Sequence, residues 1–344
     1  MMTPSPNTRA RRLWLALALV LCCAPAASAA TQTFVSAKGD DAKPCEQDKP
    51  CRTIAGALLK TDVGGEVAVL DAGEYGPFTV SHSVKVTAGG GVYAGVTAVS
   101  GDAVHVASPS GSVVALRGLT ITGKGGERGI NYLDPGPSRS EVNPEAGVTL
   151  HVEGCTVSGF NDSGIAFHGQ GSLFVKDTTV RGNGADGIGL RPASGVRVRA
   201  SVVNCRLEKN MSGLAAYVPG GGEVIATARD TVAAGNKDVG YASTGPNARM
   251  QLQGCIATHQ NNGVTAATFG RLTLEGCMLT NLKLGVWVLG GGRVLLSGTT
   301  ITDNEVGLHN LQADPGHVYT FSNNRLFGNG IDAQGKPSLI APQF

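Results

Sequence analysis

Residues 270–289 read GRLTLEGCMLTNLKLGVWVL, and residues 292–311 read GRVLLSGTTITDNEVGLHNL. Laid over one another at an offset of 22, the two stretches agree in kind at most positions. Each has a Gly, an Arg, alternating aliphatics, a Gly corner and a Cys or Thr. An alternating apolar pair, a second Gly and another aliphatic follow. Read outward, the same unit recurs from Gly129 towards the C-terminus at intervals of 22 to 27 residues, after one longer first step. Self-similarity at such a period marks a solenoid, in which each unit buries its apolar face against its neighbours.

Aligned on the residue after the corner, the copies form the column Leu119, Cys155, Thr178, Cys205, Thr231, Cys255, Cys277, Thr299 and Asn324. Three residues earlier stand Leu116, Val152, Val175, Val202, Ala228, Leu252, Leu274, Leu296 and Phe321. Five earlier stand Val114, Leu150, Leu173, Ala200, Ala226, Met250, Leu272, Val294 and Tyr319. Two later stand Ile121, Val157, Val180, Leu207, Ala233, Ala257, Leu279, Ile301 and Leu326. A spacing of two means strands with one buried face rather than helices. The corner itself is always Gly, Asn or Asp: Gly118, Gly154, Asp177, Asn204, Asp230, Gly254, Gly276, Gly298 and Asn323. Those types tolerate the left-handed backbone of a sharp bend.

A further strand follows each Gly of the series Gly129, Gly164, Gly187, Gly213, Gly240, Gly263, Gly285 and Gly307. Just before it recur Asn161, Asn183, Asn210, Asn236 and Asn304, which read as an asparagine ladder between turns. Three short strands per turn, stacked in parallel, describe an all-β fold: a single-stranded right-handed parallel β-helix of about ten rungs. The four column cysteines are expected to be buried free thiols filling a small inward position.

The opening Thr33-Phe34-Val35-Ser36-Ala37-Lys38-Gly39-Asp40-Asp41 and then Pro50-Cys51-Arg52-Thr53-Ile54-Ala55-Gly56-Ala57-Leu58 resemble the start of secreted β-helix proteins of the pectate-lyase-like superfamily. The resemblance covers the mature chain. It implies an N-terminal strand and short capping helix over 30–63, the β-helix over 64–330, and a capping tail over 331–344. It is specific for fold and weak for activity, since such proteins include lyases, hydrolases, epimerases and adhesins. The calcium-binding aspartate clusters of pectate lyases and the paired aspartates of polygalacturonases find no residue-by-residue match.

Residues 1–29 read as an export signal. Arg9, Arg11 and Arg12 precede the apolar run Leu13 to Cys23, and Ala27-Ser28-Ala29 is a small-x-small cleavage site. The run is too short for a mature membrane span, so the expectation is a secreted or periplasmic protein without membrane insertion. Cys45 and Cys51, close together in DDAKPCEQDKPC, then read as a short-loop disulfide; zinc is the other option, but two thiolates alone make a poor site. A net charge of +2 recruits no nucleic acid through a global field. No metal or cofactor is expected.

Chemistry must sit on outward positions. Two residues past the repeat Gly these are small: Ala166, Gly189, Ala215, Ala242 and Thr265. Two residues further on, His168, Arg191 and Tyr217 share one outward column in three successive rungs, just after the insertion 134–146. These types suit β-elimination on a uronate. Arg neutralises the carboxylate, while His or Tyr takes the C5 proton or protonates the leaving oxygen. Polar decoration of a strand is the plainer reading. No recurring carboxylate pair for glycoside hydrolysis is apparent on this face. A second column, Arg199, Arg249, Arg271 and Arg293, is interrupted by Ile225 and reads either as a binding track for an anionic polysaccharide or as a solvated stripe. Two such charges about 5 Å apart in water repel by only about 0.8 kcal/mol, so the stripe needs no partner to persist. Trp287 could stack on a sugar ring, but the sequence sets it several rungs from the trio. The expected role is binding or modifying an acidic polysaccharide, by lyase or epimerase chemistry if catalytic. The alternative is a non-catalytic surface or adhesin-like protein.

Overall fold

The computed structural model describes residues 30–133, 147–310, 316–335 and 338–339. The expected signal over 1–29 and the 134–146 insertion lie outside the described residues; of the tail 331–344 only 331–335 and 338–339 are described. The chain winds into a parallel β-solenoid built of a 13-stranded and a 20-stranded sheet. The first sheet takes one strand per turn, from Ala30–Val35 and Thr61–Val69 through Arg197–Val203 and His317–Thr320 to Ser338–Leu339. The second takes two strands per turn, and these fuse across the corner in Ile256–Ala267 and Met278–Val288.

Register follows the sequence columns. Val152 lies between Leu116 and Val175, and Val202 lies between Val175 and Ala228. All four side chains of the Leu116 to Val202 stack are at most 1 % exposed, so like residues form a continuous apolar stack inside the coil. The corners Gly118, Gly154, Asp177, Asn204, Asp230, Gly254, Gly276 and Gly298 all have φ between 49° and 69°, as the bend requires. Cys155, Cys205, Cys255 and Cys277 are buried free thiols. Their alternation with Thr has a local cause. Thr178 Oγ1 accepts from the Cys155 N–H at 3.2 Å and Thr231 Oγ1 from the Cys205 N–H at 3.3 Å. The thiols lean on carbonyl oxygens such as that of Val203.

Two register expectations are corrected. In the last rung Val318, not Tyr319, stands beside Val294, because that copy is one residue longer before its corner. The polar ladder runs from Asn183 through Asn210 and Asn236 to Gln260, is interrupted by Leu282, and resumes at Asn304 and Asn329, without Asn161. Phe160 takes the inward place there, its N–H bonded to Asn183 Oδ1, and Asn161 is exposed. At the N-terminal end the helix Ile54–Leu58 is capped by Thr53, whose side chain accepts from the Gly56 N–H. Asp41 accepts from the Arg52 and Thr53 N–H groups and the Thr53 hydroxyl, which fastens the loop after the first strand to the start of this helix. Cys45 and Cys51 form the expected disulfide.

Candidate functional site

The repeat Gly brings the rungs of the 20-stranded sheet close together. A Cβ on Gly213 would sit 2.4 Å from the Gly240 oxygen of the next rung. Two residues beyond it the outward side chains stack in one column: His105, Asn131, Ala166, Gly189, Ala215, Ala242, Thr265, Trp287 and His309. Ala166 to Ala242 therefore form a floor almost bare of side chains. At about 4.8 Å per rung it runs for about 14 Å. Asn131 stands at one end and, past Thr265, Trp287 at the other. A cleft of about 280 Å³ lies over the second half of this trough, lined by Asp186, Arg191, Ser212, Tyr217, Asp238, Thr265 and Trp287 among others.

One margin is the column His168, Arg191 and Tyr217, whose rungs are paired in register through Phe167, Leu190 and Ala216. The opposite margin is acidic and was not singled out from sequence. It holds Asp162, Asp186 and Asp238, which come one or two residues before the repeat Gly in their rungs. That offset is the signal that could have found them. Arg191 reaches across the floor, its Nη2 2.7 Å from Asp186 Oδ2. Gly189 leaves room for the crossing, since a Cβ there would lie 2.9 Å from the same oxygen. The Arg191 guanidinium carbon is 5.9 Å from the Tyr217 ring centroid, so the three groups form one stack.

Asp186, with its side chain 4 % exposed, has its carboxyl raised by burial, while Arg191 and Ser212 pull it back. Asp162 is held by Arg128 at 2.8 Å and by the Ser163 hydroxyl at 3.1 Å, and Asp238 by Asn262 at 3.0 Å. His168 is pushed down to about 4 by burial, with Arg191 and Arg128 adding to the effect. It is a neutral imidazole through the physiological range. Buried Thr265 Oγ1 has no hydrogen-bond partner among the described residues, next to Trp287 in the column.

Two placements differ from expectation, and the arginine column keeps its expected register. Trp287 lines the same cleft as Tyr217 instead of standing apart, because the intervening side chains are too small to separate them. A carboxylate pair, Asp186 and Asp238, does face the cleft. The arginine column is real but lies on the other sheet: Arg199 is beside Ile225, Ile225 beside Arg249, Arg249 beside Arg271, and Arg271 beside Arg293. It cannot line the trough. A larger cleft of about 630 Å³ beside the N-terminal helix holds Asp41 and Lys60, but both are engaged with nearby backbone. Among the described residues no three His, Cys, Asp or Glu side chains gather as metal ligands would, and no helix is long and apolar enough to cross a membrane.

No family model matches the chain, and no curated protein is similar to it in sequence. Solved structures are similar in fold. A pectate lyase, Pel9A, aligns at a TM-score of 0.52 and 11% identity, over 89% of this chain and 78% of that one. A tailspike protein of the Escherichia coli O157:H7 bacteriophage CAB120 aligns at 0.55 and 11%, over 84% of this chain and 44% of that one. A rhamnogalacturonan lyase aligns more loosely, at 0.46 and 12%, over 90% of this chain and 84% of that one. The chain carries the pectate-lyase-like right-handed parallel β-helix fold.

Proposed function

We propose that this is an exported protein that binds an acidic polysaccharide in the trough and modifies it by lyase or epimerase chemistry. The observation that carries the reading is the Asp186–Arg191–Tyr217 stack lying across a bare floor, with an indole at its far end. A floor without side chains suits a polymer laid along it, and the indole face suits a sugar ring. The fold of a pectate lyase supports a carbohydrate partner. The Cys45–Cys51 disulfide supports an oxidising compartment.

In elimination, Asp186 holds Arg191 through Nε and Nη2, which leaves Nη1 for the sugar carboxylate. Neutralising that carboxylate acidifies the C5 proton. His168, neutral above about pH 4, accepts the proton. The electron pair left on C5 forms the C4–C5 double bond as the C4–O bond breaks, and the Tyr217 hydroxyl protonates the departing oxygen. Epimerisation instead returns a proton to C5 from the opposite face. A second reading, glycoside hydrolysis, is favoured by Asp186 and Asp238 facing one cleft.

The test incubates the protein with polygalacturonate, alginate, hyaluronan and a neutral glucan. Binding, the ultraviolet absorbance of unsaturated uronate and new reducing ends are followed. Elimination predicts absorbance on an acidic polymer that falls about 100-fold or more in Arg191→Ala and in Tyr217→Phe. Reducing ends without absorbance establish hydrolysis, an inverted C5 in the NMR spectrum of the recovered polymer establishes epimerisation, and binding with none of these changes establishes the non-catalytic surface protein. No binding to any acidic polymer overturns the proposal.

A further inference from the structure

We propose that the 13-stranded sheet carries a second, non-catalytic binding site: a straight track for a linear anionic polysaccharide, formed by Arg199, Arg249, Arg271, Arg293 and His317. It shares no residue with the trough and holds whether or not the trough turns over substrate.

The column is continuous in register from Arg199 through Ile225, Arg249, Arg271 and Arg293 to His317. All of these side chains are exposed. Arg249 lies 3.6 Å from Glu223, a carboxylate already engaged by Arg197, while Arg271 and Arg293 make no ion pair among the described residues. The next outward column, two residues along, is Ser201, Thr227, Gln251, Thr273, Leu295 and Tyr319, all uncharged, so no charge of that column competes for the guanidinium groups. The acidic side chain on the same face of the Arg271 strand, Glu275, stands a further column away.

The Arg271 and Arg293 guanidinium groups, one rung apart, repel one another, and a polyanion laid along them relieves that repulsion. Each planar fork fits a carboxylate or sulfate through two parallel hydrogen bonds. The spacing selects among polyanions. Rungs repeat at about 4.8 Å, close to one sugar unit, whereas phosphates along a duplex strand repeat at about 3.4 Å. Single-stranded nucleic acid asks for an aromatic platform under successive bases, and the neighbouring column offers none from Ser201 to Leu295, with one aromatic, Tyr319 beside His317, on the last rung. A glycan with an acidic group on each sugar is the occupant that fits.

The test measures binding of the full chain to polygalacturonate, to heparin and to a DNA oligomer of equal charge, at low and at physiological salt. The two glycan arms distinguish carboxylate from sulfate. R271Q/R293Q is expected to bind the preferred glycan about tenfold or more weakly, with a shallower salt dependence. R271K/R293K, which keeps the charge and loses the fork, falls between. Arg191→Ala retains the salt-sensitive binding, and R271Q/R293Q retains whatever turnover the trough has, so failure of one site is distinguishable from failure of the other. Equal melting temperatures for both double variants and the parent establish that the exposed changes leave the fold alone. Glycan binding by R271Q/R293Q within twofold of the parent, or DNA bound as tightly as the glycan, overturns the proposal.

Discussion

His168 and Asp186 belong to opposite margins of the trough in successive rungs, and burial acts on them in opposite chemical senses. Each is pushed towards its neutral form, the imidazole downwards and the carboxyl upwards. For His168 the consequence for stability has a definite sign. Folding lowers it from 6.5 to about 4. Between those values the unfolded chain takes up a proton that the folded chain refuses. Stability from this group is therefore undiminished above 6.5 and is lost as the pH falls towards 4. The melting temperature of the parent should drop more between pH 7 and 4.5 than that of His168→Gln. Parallel profiles for the two proteins would remove burial of His168 as the cause. If the proposed elimination takes place, the same shift places the acid limb of its pH profile near 4.

Within one element of the coil, the polar ladder is a test of what holds rung to rung. Asn236 Oδ1 accepts from the Asn210 N–H at 3.0 Å, while its Nδ2 donates to the Leu207 oxygen at 3.0 Å and to Gln260 Oε1 at 2.8 Å. All of these groups are buried, so truncation strands several at once. Asn236→Ala should lower the unfolding free energy by about 3 kcal/mol in urea denaturation. Asn161→Ala, at the exposed position beside the ladder, should change it by less than about 0.5 kcal/mol. Equal effects at the two positions would mean that the ladder does not extend as described.

At the scale of the whole molecule, each rung packs mainly on the two beside it, so a perturbation spreads through nearest neighbours. The Cys45–Cys51 disulfide closes a loop at the N-terminal end, with a sequence separation of 6. Replacing both cysteines by Ser should cost about 2 kcal/mol by loop entropy. The loss should appear as faster amide exchange in the first rungs, with the trough residues Gly189 and Ala215 still protected. Uniform loss of protection along the coil would show that the rungs unfold as one unit. The same geometry lets two faces work separately: a trough on the 20-stranded sheet and a basic column on the 13-stranded one, each continuous because every turn repeats the last.

The repeat determined the coil by itself. Alternating apolar residues at a fixed period, with Gly, Asn or Asp at each corner, admit few other structures, and the Arg199 to Arg293 column was legible for the same reason. Where the copies change length, period counting failed: Tyr319 and Asn161 each fell one residue out of register, since a strand slip of one turns a side chain to the other face. The site needed tertiary structure more. Asp186 was hidden because it stands before the Gly rather than after it, and its partner Arg191 is reached only by crossing above Gly189. Trp287 and Tyr217 are far apart along the chain but share a cleft because Ala242 and Thr265 between them are small. Sequence columns order residues along one strand row. Which columns share a face, and how far a long side chain reaches between them, is set by the cross-section of the coil.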